Sequence, residues 1–186
     1  MHRKVIWLVG LLCLFTSPVW GQEDYPRAEI FGAYSVLMAD PVVAGREIAS
    51  GWQASASFNP HKNLGLVADF AGHYKRVTTD PFLGATVKFQ AYQYLFGPRF
   101  IIRNSKGSGF VHALFGGATV RARVSGTSTS ESAFAMGFGG GVDINAGKHL
   151  AIRVLQFDYL PVREAGVWSH STRLAFGLVI KVGGGS

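Results

Sequence analysis

Arg173-Leu174-Ala175-Phe176-Gly177-Leu178-Val179-Ile180-Lys181-Val182 decides the fold. Leu174, Phe176, Leu178, Ile180 and Val182 share one parity, and Arg173, Ala175, Gly177, Val179 and Lys181 share the other. Side chains on a strand alternate with period two, so this stretch is a strand with one oily face and one small or charged face. Ser132–Ile144 repeats the pattern. Phe134, Met136, Phe138 and Val142 oppose Ala133, Ala135, Gly137, Gly139, Gly141 and Asp143. A water-facing sheet carries more charge than that glycine-rich parity does, which turns the apolar parity towards lipid and the small parity inward.

Working outward, eight strand-like runs appear: 28–38, 51–59, 64–74, 88–103, 110–121, 132–144, 150–159 and 171–182. Most are close to the 9–11 residues a tilted strand needs to cross the hydrocarbon. In the second run Trp52, Ala54, Ala56 and Phe58 are expected outward and Gln53, Ser55 and Ser57 inward. The third places Leu66, Ala68 and Phe70 outward against Asp69 and His73; the fourth, Tyr92, Tyr94 and Phe96 against Gln93, Gly97 and Arg99. The seventh run breaks phase. Ile152 and Val154 alternate with Arg153, but Leu155, Phe157 and Tyr159 sit on Arg153's parity. One extra residue, a β-bulge, reconciles the halves.

Connections alternate in length. Short ones carry turn residues at 60–63, 104–109 and 145–149; long ones are expected at 39–50, 75–87, 122–131 and 160–170. The expected fold is therefore all-β, an eight-stranded antiparallel up-and-down transmembrane β-barrel. Short turns fall at the periplasmic end and four long loops at the extracellular end.

The start of the chain fits export. His2, Arg3 and Lys4 precede the apolar run 5–15, Pro18 breaks it, and Val19-Trp20-Gly21 offers a cleavage site before Gln22. Residues 1–21 read as a cleaved signal peptide and 22–186 as one barrel domain, with Gly183–Ser186 a flexible tail. Cys13, the sole cysteine, falls in the leader, which leaves no disulfide framework, thiolate metal site or cysteine nucleophile in the mature chain. Of 18 Lys and Arg against 11 Asp and Glu, only Arg3 and Lys4 leave with the leader. The remaining positive charge is scattered singly, not gathered in a stripe, so nucleic acid is not expected as a partner.

The chain resembles the OmpA/OmpX-like family of small outer-membrane barrels. The likeness runs through Glu29–Ser35, Gly65–Phe70, Tyr94–Arg99, Phe110–Gly117, Gly139–Asp143, His149–Arg153 and Asp158-Tyr159. It implies a bacterial outer-membrane location, outer-membrane lipid and lipopolysaccharide as partners, a monomer, and a structural or interaction role with no cofactor.

Two residue groups are candidates for function. Glu29, Asp69, Arg99, His112, Asp143, Arg153, Arg173 and Lys181 are expected to form a polar network in the lumen. An eight-stranded barrel is only wide enough for side chains to fill, so the charges must pair. Arg46, Lys75, Arg76, Lys88, Arg121, Arg123 and Arg163 lie near the long-loop end and are candidate contacts for lipopolysaccharide phosphates. Aromatics Trp52, Phe58, Tyr74, Phe82, Tyr159 and Trp168 suit interfacial girdles. No catalytic, cofactor or metal residues are assigned. His170 and Ser171 are adjacent and so point to opposite faces, no Gly-x-Ser-x-Gly is present, and the histidines lack metal spacing. The expected role is structural or interactive, through surface loops above a side-chain-filled lumen. The alternatives are a narrow porin-like channel, a lipid-modifying enzyme, or a lipocalin-like soluble barrel with inverted faces.

Overall fold

The computed structural model describes residues 25–40, 47–78, 86–124, 127–164 and 166–183, with side chains at 40, 47, 76–78, 86–88, 122–124, 127–128 and 164 excepted. The strands are β1 (Ala28–Asp40), β2 (Glu47–His61), β3 (Leu64–Thr78), β4 (Thr86–Arg103), β5 (Gly107–Val124), β6 (Thr127–Asn145), β7 (Leu150–Glu164) and β8 (Val167–Val182). Each pairs antiparallel with its sequence neighbours, and β1 pairs with β8 from Ala28↔Val182 to Asp40↔His170 to close the barrel. Closure matters because it leaves no strand edge and satisfies the backbone within the ladder, the condition for crossing hydrocarbon with strands.

The two faces follow the parity in the sequence. On β8, Phe176, Leu178, Ile180 and Val182 are exposed while Arg173, Ala175 and Val179 are buried. On β2, Trp52 and Phe58 are exposed while Gln53, Ser55 and Ser57 are buried. The exposed set is overwhelmingly aliphatic and aromatic and encircles the barrel. Such a surface is far larger than the apolar patches a soluble monomer leaves in water, so its solvent is lipid. It also removes the lipocalin-like alternative, because the charged parity is the buried one.

The phase break in β7 is a bulge. Arg153 pairs with Gly177 and Gln156 with Ala175, so Val154 and Leu155 together face Phe176 alone. Across β6, Asp143 meets Arg153 and Val142 meets Leu155, which leaves Val154 as the extra residue. Both Val154 and Leu155 are exposed, and beyond them Gln156, Asp158 and Leu160 turn inward.

Strands extend further at the upper end than the sequence suggested. The segments 122–131 and 160–170, expected as long loops, are largely strand. β5 runs to Val124 and β6 starts at Thr127; β7 runs to Glu164 and β8 starts at Val167. Gly166, at φ +88°, supplies the left-handed residue the last hairpin needs. The short turn expected at 104–109 is tighter, since β5 already begins at Gly107.

Candidate functional site

The interior holds a dense polar network built by cross-strand register. Asp158 on β7 lies opposite Arg173 on β8, and Arg173 Nε and Nη2 donate to Asp158 Oδ2 at 3.0 and 2.7 Å. The same guanidinium reaches across the lumen to Asp69 Oδ1 on β3 at 2.8 Å and to Gln93 Oε1 on β4 at 3.3 Å. Arg173 is 0% exposed. Gln53 Nε2 donates to Asp69 Oδ2 at 2.5 Å, and Gln156 Nε2 to Asp158 Oδ2 at 2.8 Å. His112 Nε2 lies 2.7 Å from Asp158 Oδ1. His112 and Asp158 are separated by β6, where Gly139 is the residue between them. A Cβ on Gly139 would stand 2.2 Å from Asp158 Oδ1, so the missing side chain is what lets the two meet.

A second cluster surrounds Arg153. Its fork grips Asp143 at 2.7 and 3.0 Å, and Nη1 donates to Gln156 Oε1 at 2.7 Å. The guanidinium lies between the rings of Phe31, at 4.1 Å, and Phe110, at 4.2 Å. Two flat faces against two rings suit Arg and not Lys. Gly141 pairs with Phe110, and a Cβ there would stand 2.8 Å from the Phe110 ring, so glycine again supplies the space. Nearer the short-turn end Arg99 donates to Glu29, and Arg103 Nη2 donates to the other Glu29 oxygen at 2.9 Å. Lys181 stands at that mouth and donates to Asn145 Oδ1 at 2.5 Å. Each of the four buried acids therefore accepts from at least one arginine. Above the network Leu37, Leu95, Leu114 and Leu160 form part of an apolar cluster inside the barrel.

Of the eight interior candidates, the structure joins Glu29 to Arg99, Asp143 to Arg153, and Asp69 to Arg173. His112 connects through Asp158, a hub the site reading did not include. The bulge carries the signal for it: with one extra residue after Arg153, Asp158 falls on the inward face. Gln53 and Gln93 had the right parity but carry no charge and drew no attention as partners.

The upper-rim candidates divide differently. Arg46 lies outside the described residues, as do the leader and Phe82. The backbone register sets Arg76 opposite Lys88 and Lys88 opposite Arg123, one row across β3, β4 and β5. Arg121 is exposed two residues below Arg123, with its guanidinium 6.0 Å from the Tyr92 ring. Arg163 is on the far side of the barrel, 5.7 Å from the Trp168 ring. Lys75 has interior parity and is half-buried, apart from the row. Nearby, Trp52 Nε1 donates to Tyr74 OH at 3.3 Å, and the Tyr159 and His170 rings stack with Tyr159 OH 2.6 Å from His170 Nδ1. His170 is thus engaged with Tyr159 rather than with Ser171.

This geometry defines a class: an eight-stranded, lipid-facing β-barrel with a charged, side-chain-packed interior. Solved structures of small outer-membrane barrels share the fold. Neisserial surface protein A (NspA) superposes with a TM-score of 0.70 at 12% identity, covering 86% of this chain and 99% of that one. Ail, the attachment invasion locus protein of Yersinia pestis, gives 0.59 at 16% identity over 84% of this chain and 99% of its own. The N-terminal β-barrel domain of Pseudomonas aeruginosa OprF gives 0.51 at 10% identity over 82% and 98%. No protein-family profile matches the sequence. No characterised protein matches it by sequence either.

Proposed function

We propose that the protein is a bacterial outer-membrane barrel whose lumen is closed by side chains and whose work is done at its surface. The carrying observation is the bonded chain Asp69–Arg173–Asp158–His112, which spans the interior from β3 through β8 and β7 to β5. Charges paired this closely leave no continuous water file, and separating them costs several kcal/mol per ion. A structural and interaction role follows, ahead of a channel or a lipid-modifying enzyme. Purified barrel in planar bilayers is expected to show no stable unitary conductance. A reproducible single-channel step from wild-type protein contradicts the closed lumen.

The outer-leaflet reading rests on the cationic row of Arg76, Lys88 and Arg123 with Arg121 beneath it. At the extracellular rim of an outer-membrane barrel this row meets the phosphates of lipopolysaccharide, and charge-assisted contacts there are strong. Ail, similar in fold, has been solved with the heparin analogue sucrose octasulfate, another dense polyanion. Replacing all four cations by alanine is expected to weaken lipopolysaccharide binding by roughly a thousandfold, on the order of 1 kcal/mol for each charge. Unchanged affinity removes this part of the reading.

A further inference from the structure

Among the described residues, the barrel's outer belt is indented where β5 and β6 meet. On β5 and β6, Gly109 and Gly140 occupy outward positions, where neighbouring strands carry large side chains. Gly109 pairs with Val142, and Val111 with Gly140, so the two glycines sit diagonally and sink the surface between them. Phe100 and Ile102 of β4 wall one side; Leu155 and Phe157 of β7 wall the other. The result is an apolar groove of about 470 Å³, within the roughly 300–1,000 Å³ typical of small-ligand sites. Its walls are 46–65% exposed, although they belong to packed strands.

The place of the groove and the charge beside it select an occupant. Ile102, Gly109 and Val142 lie within about three residues, roughly 10 Å of strand, of the short turns. In an outer-membrane barrel that is the periplasmic leaflet. The two turns that frame this end of the groove, 104–106 and 146–149, are held together by Asn145 N donating to Lys106 O at 2.9 Å. They carry Lys106, Lys148 and His149, all exposed, and no acidic residue. An apolar slot for a chain, on strands whose adjoining turns carry two exposed lysines, complements a long acyl tail joined to a phosphate.

We propose that this groove is a binding site for an anionic phospholipid of the periplasmic leaflet. One acyl chain lies between the β4 and β7 walls, and the headgroup phosphate sits at Lys106 and Lys148. The site rests on the placement of the barrel in the outer membrane. Outer-membrane fractionation of the cells that supply the protein checks that placement, and heat-modifiable migration of the reconstituted sample checks the folded barrel, so a failure of either is told apart from a failure of the site.

The test reconstitutes the full mature chain into phosphatidylcholine vesicles containing phosphatidylglycerol with a diazirine near its acyl terminus. After illumination, peptide mapping is expected to concentrate cross-links on Phe100, Ile102, Val111, Val142, Leu155 and Phe157, above the belt on β1 and β8. Gly109→Phe fills the groove at a position where an added Cβ meets nothing within 4 Å, and it should abolish the enrichment. Gly32→Phe, equally open but on β1, should leave it intact. Lys106→Glu and Lys148→Glu should each reduce it about fivefold. Gly109→Leu serves if the phenylalanine variant loses heat-modifiable migration. Even labelling around the belt, enrichment indifferent to Gly109→Phe, or copy-to-copy cross-links through the groove overturns the proposal.

Discussion

Arg173 and Arg153 show two ways of burying a guanidinium. Arg173 is held by two carboxylates and an amide, Arg153 by one carboxylate, one amide and two aromatic faces. Removing one partner from a buried ion cluster leaves uncompensated charge, which costs ~3–5 kcal/mol. Arg173→Met should therefore destabilise the barrel by that amount in equilibrium urea unfolding from lipid vesicles. Adding Asp69→Asn and Asp158→Asn to Arg173→Met should recover much of the loss, because no lone carboxylate remains. An equal or larger loss in the triple variant contradicts the assignment. At Arg153 the conservative lysine keeps the charge but not the fork or the ring stacking, so Arg153→Lys should cost ~1–3 kcal/mol in the same assay. These residues were legible in the sequence because charges on the small-residue parity of a lipid-facing strand have nowhere to go but inward. Their pairings were not legible, since partners such as Asp69 and Arg173 lie 104 positions apart and meet only when the barrel closes.

At the scale of the element, β7 carries the sharpest test. Its extra residue keeps Ile152 and Phe157 on the lipid face while Arg153 and Asp158 stay inside. Deleting Val154 removes the bulge but leaves both halves in phase, so the protein should still give a heat-modifiable barrel. Deleting Leu178 from the regular strand β8 turns one half of that strand inside out and should prevent folding. Equal behaviour of the two deletions in urea-diluted refolding contradicts this register. The strand centres were readable from alternation, and the upper ends were not. Residues 122–124, Ala-Arg-Val, and 127–131, Thr-Ser-Thr-Ser-Glu, pair as strand with no apolar alternation. Above the hydrocarbon both faces of a strand are wet, so polarity no longer marks inside from outside. Small polar residues there read as loop.

Across the whole molecule, the same parity that drives apolar side chains into lipid drives charge into the lumen, and closure between β1 and β8 completes both surfaces at once. On the proposed reading, stability and a closed lumen share one cause: a narrow interior filled by paired ions. The measurement that tests this account most directly is migration on cold and boiled gels after separating the cell envelope into its membranes. The account predicts that the protein fractionates with the outer membrane and shifts its mobility on boiling, as the closed backbone ladder resists detergent until heated. A soluble periplasmic protein with one mobility before and after boiling contradicts it.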